Sequence, residues 1–242
     1  MTLRLTPLAE ALGAQVHGMD LALPVAPDTA ARLREALAAH GVLVFPRQTL
    51  DDAAHARAAA LFGPLHGEPG PDGASRPRIR YVSNDADAPG PTILPRGPVA
   101  FHSDQCFAPA PYAATTLHAL EAPERGGETL FASAVAAAAG LPGDLRAEIA
   151  GRRALHVYDG HRTDRPSGPV GDGEQACRHP CVVAHPATGA PVLYVNRLMT
   201  VAIEGLDRAR SESVLTRLFA ALDAPGLRYV HRWAPGDFVI WD

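Results

Sequence analysis

Arg228-Tyr-Val-His-Arg-Trp233, Ala234-Pro-Gly-Asp237 and Phe238-Val-Ile-Trp241 follow one another without a break, and their reading decides the fold class. The outer two are short runs rich in β-branched and aromatic residues. The Pro235-Gly236 pair between them is turn chemistry, so the segment reads as two strands joined by a tight turn. Moving toward the N-terminus, similar strand patterns occur at Ala114–Leu120, Thr129–Phe131, Arg153–Tyr158, Cys181–Ala184 and Val192–Val195. Helical patterns interrupt them at Ala132–Ala139, Pro142–Ala150 and Ser211–Leu222, the last with Leu215, Leu218, Phe219 and Leu222 on one face. The first quarter of the chain mixes both kinds. Short strands are expected around Leu3–Leu5 and within Ala14–Leu23, then a helix over Ala30–Ala39 capped by Asp28 or Thr29 and ended by His40-Gly41. A buried strand, Val42–Phe45, and a helix from Thr49 or Asp51 to Leu61 complete it. Many short strands with helices packed outside them fit an α+β fold with a jelly-roll core, and 242 residues suit a single domain, 1–242.

Two stretches break this pattern. Residues 66–99 are rich in Gly, Pro, Asp and Arg around one strand-like island, Ile79–Val82, and residues 159–176 carry glycines, prolines and acidic side chains with little to bury. Both are expected to be mobile loops, and the first is a candidate cover for a pocket. A formal charge of −4 with no long Lys/Arg run gives no reason to expect nucleic acid or an anionic membrane as partner. The apolar stretch at Leu130–Leu141 is too short to span a bilayer, and Met1–Ala14 lacks a signal-peptide core. Three cysteines, Cys106, Cys177 and Cys181, supply no even disulfide framework. The expectation is a cytoplasmic protein acting on a small molecule, with a homo-oligomer left open.

The chemistry concentrates at Phe101-His102-Ser103-Asp104. On an extended strand His102 and Asp104 project to the same side, where an imidazole and a carboxylate can share one ion. With a second His from elsewhere they would make a facial triad on iron(II), leaving two positions for a bidentate keto acid and one for O₂. Alone, the pair is a weak signal among 11 histidines. A competing cluster is Cys177-Arg-His179-Pro-Cys181 with His185, which could be read as a zinc site or as ordinary strand residues.

The wider context carries a resemblance. His102-x-Asp104 is followed by Gly126-Gly-Glu-Thr-Leu130, then by Pro235-Gly-Asp237 and Ile240-Trp-Asp242. Further pieces are Gly41-Val-Leu-Val-Phe45, Phe62-Gly-Pro-Leu65 and His185-Pro-Ala-Thr-Gly189 leading into Leu193-Tyr-Val-Asn196. Together they resemble the taurine and phenoxyacetate dioxygenase (TauD/TfdA) family almost end to end. The resemblance implies a double-stranded β-helix and an Fe(II)- and 2-oxoglutarate-dependent dioxygenase that uses O₂ and releases succinate and CO₂. It places His102 and Asp104 on the first His and the carboxylate of the iron triad, and Thr129 on the threonine that binds 2-oxoglutarate. Trp241-Asp242 falls on the start of a Trp-Asp-Asn-Arg signature, so the second iron His and the Arg that pairs with 2-oxoglutarate are expected beyond Asp242. His185 and His231 are the candidates within the chain for that His, although a packed or surface histidine is the preferred reading of each.

An intact Asp104 implies hydroxylation or oxidative cleavage rather than halogenation. The taurine enzymes' His and Tyr have no counterparts after His66, and their Asn is Pro98 here, which argues against taurine itself. A small organic anion is the expected substrate, with Arg96 a candidate partner for it. The alternative is a jelly-roll binding protein without catalysis.

Overall fold

The computed structural model describes residues 3–69, 75–77, 79–83, 98–158 and 175–242. The first half of the chain holds β1 (Arg4–Pro7), β2 (Ala14–His17), α1 (Pro27–His40), β3 (Val42–Phe45), α2 (Asp52–Ala60), β4 (Gly67–Pro69), β5 (Ser75–Pro77) and β6 (Thr115–His118). Then follow β7 (Thr129–Ala132), α3 (Ala134–Ala139), α4 (Gly143–Ile149), β8 (Arg153–Tyr158), β9 (Gln175–Pro180), β10 (Val182–Ala184) and β11 (Pro191–Leu193). The last elements are β12 (Thr200–Ile203), α5 (Arg208–Leu222), β13 (Arg228–His231) and β14 (Phe238–Trp241). They cluster into two compact units. The first comprises Met1–Arg96, Tyr112–Thr129 and Val230–Asp242, and the second Gly97–Pro111 and Leu130–Tyr229.

The first unit is built on a five-stranded sheet in the order β1-β2-β3-β14-β6. β14 lies between β3 and β6 and runs antiparallel to both, with Ile240 opposite Leu43 on one side and Thr116 on the other. Its residues Phe238, Val239 and Ile240 are fully buried, as a central strand of a covered sheet should be. Phe238 meets Phe45 edge-on, and Leu33, Leu37, Ala54 and Ala58 of the two helices close the core over them. α1 begins three residues before the expected start because Pro27 occupies its first turn, where a missing N–H costs nothing. It ends as expected at Gly41, whose φ of 68° is the left-handed cap. Asp51 caps α2 by accepting from Ala54 N at 2.7 Å.

The second unit carries a three-stranded sheet, β12-β8-β9, and the β10-β11 hairpin. Against them α5 buries Ser211, Val214, Leu215, Leu218, Phe219 and Leu222, a stripe at helical spacing that packs with Leu145, Ile149, Ala154 and Leu193. Burying a side chain such as Leu218 is worth roughly 2 kcal/mol, so this stripe outweighs the exposed Arg210–Glu148 and Arg217–Asp144 ion pairs that join α5 to α4. β7 and β13 form a separate pair.

Four strands lie outside the sequence expectation, β4, β5, β9 and β12. β9 is a largely exposed strand ending in His179-Pro180, and β12 is four residues long with a bulge between Thr200 and Ala202. The strand expected at Ile79–Val82 is not formed, since 79–83 carry no regular structure. Strands lie instead at β4 and β5, which pair antiparallel. Most of the two expected mobile loops, residues 70–74, 78, 84–97 and 159–174, lies outside the described residues, and so does Arg96.

Candidate functional site

His102 and Asp104 come together in the second unit, by a different device from strand alternation. Residues 101–103 are irregular and residues 104–107 turn, with Gln105 at a φ of 58°. A non-glycine residue in that region costs about 1 kcal/mol and marks a chain reversal that its surroundings must hold. The holding is visible. Leu198 N donates to Phe101 O at 3.2 Å just before the motif, and Asn196 Nδ2 reaches Cys106 Sγ at 3.3 Å just after it. Asn196 Oδ1 in turn accepts from Met199 N at 2.8 Å, so the segment 196–199 grips both ends of the motif. His179 Nε2 bonds to Ala108 O at 2.9 Å, and Phe107 stacks on Tyr158 with centroids 4.5 Å apart.

Within this clamp His102 Nδ1 lies 3.0 Å from Ala100 O. A carbonyl can only accept, so Nδ1 carries the proton and a neutral ring points its Nε2 lone pair outward. That lone pair meets Asp104 Oδ1 at 3.4 Å. Two acceptors facing each other need positive charge between them. Burial opposes protonation of His102, but the Asp104 carboxylate and the Ala100 carbonyl outweigh it and raise the pKa above the ordinary histidine value. A divalent cation meets the same need. Donors about 2.1 Å from one ion and at right angles lie about 3 Å apart, close to the observed gap. The backbone carbonyl behind Nδ1 is the usual orienting partner of a metal-bound imidazole. The residues therefore fit a cation with nitrogen and oxygen ligands. Among the described residues no group of three His, Cys, Asp or Glu side chains could hold a metal ion.

Thr129 lies in the first unit, where Trp233 Nε1 donates to its Oγ1 at 2.9 Å. Trp233 stands edge-on to His231, with centroids 4.4 Å apart, and His231 Nε2 lies 3.3 Å from Asp237 Oδ2. The turn between them is closed by Ala234 N donating to Asp237 Oδ2. His231 is thus a packed histidine beside its carboxylate. Burial lowers its pKa against the opposing pull of Asp237. His185 is likewise committed, its Nδ1 accepting from Ala187 N and Thr188 N. The zinc cluster does not form, because Cys181 is sealed in the core and His179 is spent on Ala108. Burial pushes the Cys106 and Cys181 thiols up to about 11, which leaves them protonated and unreactive.

The second unit holds a further group, made of His156, His179 and Tyr194, whose rings lie 5.3–5.7 Å apart. His156 is fully buried, its Nδ1 is 3.1 Å from Thr200 Oγ1, and its Nε2 has no hydrogen-bond partner among the described residues. Sequence reasoning assigns no role to His156, Asn196 or Trp233, since the contacts that give them one, to Thr200, Cys106 and Thr129, span 44, 90 and 104 positions.

Comparison with known proteins bears on the family and the fold. The chain matches the family model for taurine catabolism dioxygenase TauD, TfdA family over residues 4–242. It is 34% identical over 253 residues to the (S)-phenoxypropionate/alpha-ketoglutarate-dioxygenase of Sphingobium herbicidovorans, spanning 98% of this chain and 85% of that protein. To the pentalenolactone F synthase of Streptomyces avermitilis it is 33% identical, spanning 96% and 83%. The crystal structure of AAD-2 in complex with Mn(II) and N-oxalylglycine superposes with a TM-score of 0.82 at 26% identity, covering 100% of this chain and 88% of the other. The described elements are accordingly those of an α+β fold with a double-stranded β-helix, or jelly-roll, core and flanking helices. A family model matched over residues 4–242 and relatives that are alpha-ketoglutarate-dependent dioxygenases along nearly the whole chain give the assignment: the chain is such a dioxygenase and belongs to the TauD/TfdA family.

Proposed function

We propose that this enzyme uses Fe(II) and O₂ with 2-oxoglutarate to hydroxylate or oxidatively cleave a small organic anion, releasing succinate and CO₂. The observation that carries the proposal is the His102 Nε2 lone pair facing Asp104 Oδ1 across 3.4 Å. When bound, iron and the keto acid supply the redox chemistry: oxidative decarboxylation provides two of the four electrons that reduce O₂, and the substrate C–H provides the other two.

The chain's own residues hold and orient. His102 presents a neutral nitrogen ligand whose tautomer Ala100 fixes, and Asp104 adds an anionic one that offsets part of the cation's charge. Asn196 and Leu198 keep the two donors at their separation. The Thr129 hydroxyl is proposed to help bind 2-oxoglutarate, on the strength of its place in the Gly126-Gly-Glu-Thr-Leu130 motif; a keto-acid cosubstrate is supported by N-oxalylglycine in AAD-2, which differs from 2-oxoglutarate by NH in place of CH₂. An anionic substrate is supported by the phenoxypropionate named for the Sphingobium relative. The enzyme is proposed to work in the cytoplasm without nucleic-acid or membrane partners. No helix among the described residues is long and apolar enough to cross a membrane.

The test is succinate formation from 2-oxoglutarate with Fe(II), scanned over aryloxy- and alkyl-carboxylates. The wild-type chain should form succinate in an iron-dependent way, and His102→Ala should abolish it without lowering the melting temperature. Turnover by His102→Ala near the wild-type rate would show that the ligand is misassigned.

A further inference from the structure

Trp233 and Thr129 are 104 positions apart, both in the first unit, and joined by one directed hydrogen bond, Nε1–H to Oγ1 at 2.9 Å. An indole N–H can only donate, whereas a threonine hydroxyl can either donate or accept. Because Trp233 occupies a lone pair of Oγ1, the hydroxyl's own proton has to point elsewhere. Among the described residues no acceptor receives it. We propose that Trp233 is a positioning residue that fixes the Thr129 hydroxyl as an outward donor, selecting a carboxylate acceptor at that point. This rests on the reading of Thr129 as a 2-oxoglutarate ligand and goes beyond it by naming what sets the direction of its proton.

The indole is itself held rigidly. It follows β13, stands perpendicular to the His231 ring, and leads into the Ala234–Asp237 turn. That turn is anchored on two sides, by Gly236 N donating to Ala119 O at 2.8 Å and by Gln48 N donating to Gly236 O at 2.6 Å. Gly236 has a φ of 86°, and a Cβ there would sit 3.0 Å from Gln48 O, so the backbone approaches as closely as only glycine permits. A donor fixed in this way costs no reorganisation when the ligand arrives, which is the condition under which one hydrogen bond to a charged group contributes most. Without the indole, Oγ1 is free to accept from water and its proton to rotate.

The experiment measures the dissociation constant of 2-oxoglutarate by calorimetry on the full chain loaded with redox-inert Mn(II). The proteins compared are wild type, Trp233→Phe, Thr129→Val, Thr129→Ser and the Trp233→Phe/Thr129→Val double variant. Trp233→Phe should weaken binding about 5- to 10-fold and Thr129→Val about 10-fold or more, with the double variant no weaker than Thr129→Val alone. Thr129→Ser, which keeps the hydroxyl, should bind within about twofold of wild type. A structural role alone would instead make the two losses multiply, and that result overturns the proposal. Weakened binding by Thr129→Val with none by Trp233→Phe overturns the proposal while leaving Thr129 as a ligand. Unchanged affinity of Thr129→Val, or no binding by wild type, removes the underlying reading and the proposal with it. Should Trp233→Phe fail to fold, the indole N–H resonance of Trp233 serves in its place. It should shift when 2-oxoglutarate is added to the wild-type chain but not when it is added to Thr129→Val, and an unmoved wild-type resonance contradicts the proposal.

Discussion

At the residue scale, the chemistry divides into side chains legible from their own type and side chains that matter only through distant partners. His102 and Asp104 belong to the first kind, because an imidazole two positions from a carboxylate is a candidate ligand pair that the surrounding family motifs single out among 11 histidines. Their convergence is expected from strand alternation, but the device that produces it is not legible, since it is the turn at Gln105 and the grip of Asn196, 90 positions away from Cys106. His156 belongs to the second kind and leads to a pH prediction. Burial, reinforced by the nearby His179, lowers its pKa to about 4 from the ordinary 6.5. Between those values the unfolded chain binds a proton that the folded chain refuses. The stabilisation is therefore fully present above pH 6.5 and lost as the pH falls through 4, amounting to about 3 kcal/mol over the whole window. Urea unfolding at pH 7.0 and 5.0 should show wild type losing about 2 kcal/mol more than His156→Leu, and parallel losses would mean that His156 does not titrate in this way.

At the element scale, strands whose middle residues are buried are readable in full. β14 and β8 fall on the expected residues because a short apolar or β-branched run bounded by turn residues has few other solutions. β9 was not readable, since its Gln-Ala-Cys-Arg-His-Pro sequence is mostly exposed and becomes a strand only by pairing along all six residues of β8. β12 does not announce itself, because a bulge between Thr200 and Ala202 interrupts its pairing with β8. The Pro235-Gly236 turn was readable, and the structure adds why its glycine is needed. Gly236→Ala would combine a left-handed backbone with a Cβ 3.1 Å from Arg47 Cα, where backbone cannot yield cheaply. It should cost about 2 kcal/mol, seen as a lower melting temperature than Gly226→Ala, whose added methyl meets nothing within 4 Å. Equal melting temperatures would contradict the packing described for that turn.

At the scale of the whole molecule, the jelly-roll class follows from the count and spacing of short strands, and the family from motifs spread from Gly41 to Asp242. The substrate is less legible, because it is set by the shape and charge of a pocket rather than by the fold. What the molecule as a whole is built to do rests on one claim, that His102 and Asp104 bind a divalent cation as a pair. Equilibrium binding of Mn(II) to wild type, His102→Ala and Asp104→Ala, each with saturating 2-oxoglutarate, tests it most directly. Wild type should bind one ion per chain, and each variant should bind at least a hundredfold more weakly at unchanged melting temperature if each substitution removes a ligand rather than an outer partner. Variants that bind Mn(II) as tightly as wild type would contradict it.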